Sequence, residues 1–165
     1  MQEIVGRLDA SGRRFALVAS RFNHRVVDLL VEGAVDCLVR HGAERDDVTL
    51  VRVPGAWELT LALDELGRSG RYDALVALGV VIRGETPHFD YICGEAAGGA
   101  ARVGAEHRIP VGFGVLTCDT SSQAVERAGG KAGNKGWEAA AAALEMVDLL
   151  TRLRQDESTT SVATD

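Results

Sequence analysis

The sequence predicts a three-layer α/β domain in which a four-stranded parallel sheet is covered by helices on both faces. Three features carry that prediction. Strand-like and helix-like apolar patterns alternate along the chain, as they do where crossover helices join parallel strands. One run, ALVALGVVI (residues 74–82), is apolar on both faces and suits the middle of a covered sheet. No internal repeat and no linker-like stretch divides the 165 residues, so the chain reads as one domain with a substantial core.

The elements follow in order. FALVAS (residues 15–20) is the first strand. Asn23 can cap the helix behind it, whose apolar positions Val27, Leu30, Val31, Ala34, Val35 and Leu38 form one stripe. That helix stops near His41 and Gly42, a basic residue followed by glycine. VTLVRV (residues 48–53) is the second strand, and PGA leads into a helix WELTLALDELGRSG that ends at Gly70. The third strand, residues 74–82, precedes a helix opened by Thr86 as cap and Pro87 as first helical residue. This helix is rich in alanine and glycine (EAAGGAA) and reaches about His107, allowing close approach to the sheet or to another subunit. PVGFGVLT (residues 110–117) is the fourth strand. Two helices follow, from Ser121 to about Ala128 and from about Lys135 to Leu153, separated by the glycine-rich GGKAGNKG, read as flexible. Residues 1–14 form an arm with weak alternation that could pair with a neighbouring subunit. The domain proper covers 15–154, and the polar residues 155–165 read as a disordered tail.

Composition narrows the function. A net charge of −6 argues against general nucleic-acid affinity, which rests on neutralising phosphates. No apolar run is long enough to span a membrane, and the N-terminus lacks the pattern of a signal peptide. The three cysteines, Cys37, Cys93 and Cys118, are far apart and suit free thiols, so the chain reads as cytoplasmic. Cys37 and Cys93 read as buried residues of helices. The four histidines are scattered, and no cluster has metal-ligand spacing.

Ligands of open parallel sheets bind beyond the carboxyl ends of the strands. The richest such segment here is Arg83-Gly84-Glu85-Thr86-Pro87-His88. A helix start with free N–H groups and a nearby glycine is suited to phosphate or carboxylate. His88 in the first helical turn is either a proton carrier beside a substrate or a histidine satisfied at a helix start, and spacing alone leaves both open. Phe22 and Trp57 directly follow strand ends, where they either stack on a heteroaromatic ring or are partly buried in the core. Glu58 is a hydrogen-bond acceptor for a ligand or a solvated carboxylate. Arg127, with Lys131 and Lys135, either grips a phosphate or forms a solvated face. His24 reads as exposed, and His41 and His107 as stabilising residues near helix ends.

Five blocks in order, ASRFN, VPGAWEL, LGVVIRGETPHFDYIC, PVGFGVLT and ERAGGKAGNKGWEAA, resemble the 6,7-dimethyl-8-ribityllumazine synthase family over about residues 15–153. The resemblance implies a flavodoxin-like fold and a condensation of 5-amino-6-(D-ribitylamino)uracil with 3,4-dihydroxy-2-butanone 4-phosphate, without metal or other cofactor. It implies that Phe22 and Trp57 flank the pyrimidine, that Ala56 and Glu58 meet the ribityl side, and that Val80, Val81 and Ile82 offer backbone to the uracil edge. Glu85 and Thr86 would hold the phosphate together with Arg127, and His88 would carry the proton, with Lys135 and Glu138 as secondary electrostatic partners. Phe113 and Arg127 would lie on opposite sides of a subunit boundary. The resemblance further implies pentamers and, from the short GGKAGNKGW loop, an icosahedral shell of twelve pentamers with riboflavin synthase as a candidate occupant. Trp57 is bulkier than the phenylalanine or tyrosine often found there, and Glu85 sets a carboxylate beside the phosphate. Two rival readings are the archaeal-type riboflavin synthase and a non-catalytic flavin-binding protein. GETPH with Arg127 disfavours both, since a pure binder of dephosphorylated flavin needs no phosphate grip.

Overall fold

The computed structural model describes residues 1–161. Its elements are β1 (Phe15–Ser20), α1 (His24–Arg40), β2 (Val48–Val53), α2 (Leu59–Arg68), β3 (Ala74–Ile82) and α3 (His88–His107). There follow β4 (Val111–Cys118), α4 (Ser121–Arg127), a small hairpin of β5 (Ala128–Gly130) and β6 (Gly133–Asn134), and α5 (Lys135–Ser161). The four long strands run parallel in the order β2-β1-β3-β4. Leu17 of β1 lies between Leu50 of β2 and Val76 of β3, and Ala77 of β3 lies beside Phe113 of β4. The α/β architecture is therefore the expected one, and the first three strands have the expected limits.

The period-two alternation of side chains sorts the core into two layers. Phe15, Leu17 and Ala19, with Ala74, Val76 and Leu78, face α1 and α5 and pack on Val27, Leu30, Leu38, Ala140 and Leu144. Ala16, Val18, Leu75 and Ala77 face α2 and α3 and meet Leu59, Leu63, Ala96 and Val103. On α1 the predicted stripe is buried except Val35, which is half-buried, and Cys37 joins it. Burial pushes the Cys37 thiol up to about 11, while Cys93 is only half-buried. The small residues of α3 serve two faces. A Cβ on Gly99 would lie 1.9 Å from Thr60 Oγ1, so α2 and α3 approach closely there, whereas Gly94, Gly98 and Ala101 remain exposed.

Several boundaries differ from the expectation. α3 begins at His88, with Pro87 at the cap position and no side-chain cap from Thr86. α2 begins at Leu59, leaving Trp57 and Glu58 in the preceding turn. β4 sits one residue later than predicted. The GGKAGNKG segment is a pinned hairpin rather than a flexible spacer. Asn134 Nδ2 donates to Leu29 O at 2.9 Å and Ala128 O at 3.2 Å, and its Oδ1 accepts from the Gly136 and Trp137 N–H groups at 2.9 and 3.1 Å. One amide thus ties the hairpin to α1 and caps α5. α5 itself runs on to Ser161, through much of the segment expected as a tail, and residues 162–165 of that tail lie outside the described residues. The arm, residues 1–14, forms no strand among the described residues. It lies against α5, where the Arg7 N–H donates to Asp148 Oδ2 at 2.8 Å. His107 Nε2 and Asp64 Oδ1 are 2.8 Å apart and join α3 to α2. With Glu106 they form a group of metal-ligand type that spacing in the sequence does not reveal, because Asp64 is remote from the other two.

Two predictions follow from this packing. A Cβ on Gly136 would stand 2.0 Å from Leu30 O. Gly136→Ala is therefore expected to cost about 1–3 kcal/mol as α1 and α5 are forced apart, read as a lower urea midpoint. The Asp148 carboxyl is held below its ordinary pKa first by the Arg152 hydrogen bond and then by the Arg7 N–H. Its contribution is present above the unfolded value of about 3.9 and is lost as the pH falls through the lower folded value. Asp148→Asn should therefore raise trypsin cleavage at Arg7 at neutral pH and flatten the acid limb of the stability curve.

Candidate active site

β1 and β3 are neighbours and parallel, so the turns that leave them lie side by side at one edge of the sheet. The turn after β1 is set by Asn23, whose φ of 60° and ψ of 32° lie in the left-handed region that asparagine tolerates better than most residues. Its side chain does not cap α1 as expected. Nδ2 instead donates to Val80 O at 3.0 Å and binds the first turn to the end of β3. The Phe22 N–H donates to Pro54 O at 3.1 Å, which joins the turn after β2 to the same place.

The crevice so formed has a volume of about 370 Å³. Of the predicted residues, Phe22, Ala56, Trp57, Val80, Val81, Ile82, Thr86 and His88 line it. Phe89 and Ile92, which sequence reasoning missed, complete one wall. Their spacing from His88 on a helix start was the available signal. Phe22 is 71% and Trp57 54% exposed, so the chain does not cover these two rings by itself. Glu58 does not line the crevice but an adjoining cavity of about 830 Å³, which shares Trp57, His88 and Ile92 with it. A Glu58 carboxylate oxygen would lie 3.2 Å from a Cβ on Gly55, a lining residue of the crevice. Glu85 is exposed and is not among the lining residues. The start of α3 brings the N–H groups of a helical first turn to the crevice, a favourable setting for an anion.

Phe113, Arg127 and Lys135 are elsewhere. They line a third cavity, about 220 Å³, along the outer side of β4. Phe113 and Arg127 thus share one face of a single chain, whereas the resemblance placed them on opposite sides of a boundary. Arg127, the last residue of α4, lines that cavity together with residues 113–118 of the edge strand β4. Arg127 Nη1 donates to Gln123 O at 3.0 Å, and among the described residues it forms no ion pair. Lys135 Nζ lies 2.5 Å from Glu138 Oε2, so its charge is already met.

An open aromatic crevice at the carboxyl edge of a parallel sheet, with an anion-ready helix start and a histidine beside it, defines a flavodoxin-like ligand-binding α/β protein. Comparison with known proteins makes the assignment particular. The family model described as 6,7-dimethyl-8-ribityllumazine synthase matches residues 12–151. The chain is 58% identical to the 6,7-dimethyl-8-ribityllumazine synthase of Aquifex aeolicus over 93% of its own length and 100% of that protein. It is 56% identical to the enzyme of that name from Desulfovibrio desulfuricans, with 93% and 98% covered. It is 57% identical to that of Chlorobaculum tepidum, with 93% and 99% covered. The chain belongs to the 6,7-dimethyl-8-ribityllumazine synthase family.

If the Asn23 clamp shapes the crevice, Asn23→Ala should disturb it twice, through the lost bond to Val80 and through a side chain poorly suited to positive φ. The expected cost is about 1–2 kcal/mol in stability, together with weaker binding of a pyrimidine ligand, measured by calorimetry.

Proposed function

We propose that this transferase condenses 5-amino-6-(D-ribitylamino)uracil with 3,4-dihydroxy-2-butanone 4-phosphate to 6,7-dimethyl-8-ribityllumazine, releasing phosphate and water, the penultimate step of riboflavin biosynthesis. The observation that carries the reading is the crevice itself. It sets two aromatic rings, the Val80–Ile82 backbone, a helix start and His88 around one space in a chain 58% identical to a synthase of that name.

In this reading the uracil lies between Phe22 and Trp57 with its edge on the backbone of Val80, Val81 and Ile82, and its ribityl chain runs toward Ala56 and Glu58. The phosphate sits on the amides of Glu85 and Thr86, with the Glu85 carboxylate turned to solvent. The aromatic amine attacks the ketone and water leaves to give an imine. Phosphate departs by elimination to leave an enol that tautomerises to a carbonyl. The ribityl-bearing amine attacks that carbonyl and closes the ring with loss of a second water. His88 accepts and returns protons in these steps. No step requires a strong nucleophile from the protein, so holding two substrates in reacting geometry supplies most of the acceleration.

The third cavity completes the site from a neighbouring copy. Phe113, Arg127 and, more distantly, Lys135 and Glu138 of one chain close the crevice of the next. Support comes from the exposure of Phe22, Trp57 and Phe113, from Arg127 having no carboxylate partner among the described residues, and from β4 being an open edge of the sheet. The assembly is a pentamer, with the arm of residues 1–14 pairing with a neighbour, and twelve pentamers build an icosahedral shell able to enclose riboflavin synthase. The enzyme works in the cytoplasm. No helix among the described residues is long and apolar enough to cross a membrane.

Mixing the protein with the two substrates should yield lumazine fluorescence and one phosphate per product. Silence, with riboflavin bound tightly instead, would favour a flavin-binding protein. His88→Ala is expected to lower kcat by roughly 10- to 100-fold, the low end of general acid–base effects; complete loss in an intact assembly would count against the positioning view. Arg127→Ala should raise KM for the phosphate substrate by about tenfold or more, the loss of a charge-assisted contact, with little change for the aminouracil. Light scattering distinguishes the pentamer from the shell.

A further inference from the structure

The first residue beyond β3 joins the crevice to the cavity along β4. The Arg83 N–H donates to Cys118 O at 2.9 Å and extends the β3–β4 pairing past the strand end. Its side-chain Nε donates to Asp119 Oδ1 at 2.9 Å, and Nη1 donates to Asp90 Oδ1 at 3.4 Å. The guanidinium carbon lies 4.2 Å from the centre of the Phe89 ring, a wall of the crevice. Asp90 is in the first turn of α3, and Asp119 follows β4 directly. From Asp119 the bonds continue. Its N–H donates to Gln123 Oε1 at 2.9 Å, the Gln123 N–H donates to Thr120 Oγ1 at 3.2 Å, and Gln123 O accepts from Arg127 Nη1 at 3.0 Å.

We infer that Arg83 is a positioning residue for phosphate: one planar guanidinium fixes the start of α3 beside the Glu85–Thr86 turn and, through Asp119 and α4, the reach of Arg127. It holds the anion site without touching the anion, since its own charge is met by two carboxylates. Exposed ion pairs are weak singly. Here two of them, an aromatic face and a backbone bond converge on one group, and the fork of donors gives that group a defined orientation. The inference rests on the proposed reaction and deepens it. With the site shared between neighbours, each Arg83 serves the turn of its own crevice and the Arg127 that enters the next.

The rival explanation is charge alone, with Arg83 merely offsetting Asp90 and Asp119 near a phosphate. Two variants give opposite answers. Arg83→Lys keeps the charge and loses the fork, so positioning predicts a KM for the phosphate substrate raised by about tenfold, with kcat within about twofold and the aminouracil KM unchanged. Charge alone predicts wild-type behaviour. Asp119→Asn removes a negative charge, so charge alone predicts tighter phosphate, whereas positioning predicts weaker phosphate, by roughly threefold. Inorganic phosphate binding, followed by calorimetry on the assembled wild type and both variants, should shift in the same directions. That measurement needs no turnover. A wild type that binds phosphate but forms no lumazine would overturn the proposed reaction while leaving the role of Arg83 to be decided by phosphate affinity. Normal phosphate affinity in Arg83→Lys, tighter affinity in Asp119→Asn, or equal losses for both substrates would overturn the inference.

Discussion

The rest of the structure depends on the parallel pairing of β1 and β3 between two helical layers. All of β1 and the first seven residues of β3 are buried, so no side chain there faces solvent and both faces need helices. Parallel register then directs both carboxyl ends to one edge. The turns carrying Phe22 and Asn23, and the segment from Arg83 to His88, meet there as a consequence of topology. The ligand site is thus a product of strand order, and the side chains only furnish it.

The same order makes the chain incomplete. β2 and β4 are the sheet edges, and both expose large apolar residues, Leu50 on one and Phe113 on the other. The crevice has two rings left largely uncovered, while the Phe113 ring and the Arg127 guanidinium, which forms no ion pair among the described residues, lie on the far side of β4. A chain cannot fold these together, because a strand separates them. In the proposed assembly a second copy brings the two faces together, and the two cavities then form one shared site.

Much of this was legible in the sequence for a simple reason. Strands buried on both faces are continuous apolar runs with sharp limits, and β1 and β3 have the bounds their patterns imply, as does β2, a half-exposed edge strand rich in valine. The crevice residues were legible because they follow those limits directly. Polar side chains that act across the fold were less visible. Asn23 looks like a helix cap but spends its amide on Val80, 57 positions away. Asn134 lies in a run of glycines that reads as slack, yet one amide holds that run to α1 and α5. The group of Asp64, Glu106 and His107 is likewise assembled by helix packing. The position of Phe113 relative to Arg127 needed the path of α4 along the edge strand, which no local pattern specifies.

Electrostatics gives the acidic chain a way to hold an anion. Of the cations around the site, Arg83 is paired with Asp90 and Asp119, and Lys135 with Glu138. Among the described residues Arg127 is bound to a neutral carbonyl and forms no ion pair, so a ligand would not have to displace a carboxylate from it. The helix start of α3 adds fixed N–H dipoles that need no reorientation when the anion arrives. Two such sources on separate elements bind one phosphate well only if their separation is held constant. In the proposed site the bonds from Arg83 to both elements meet that requirement within a chain, and the proposed contact between neighbours has to meet it across the boundary. The proposed catalysis by positioning therefore places its strictest demand on the frame around the phosphate, and much less on the chemical reactivity of His88.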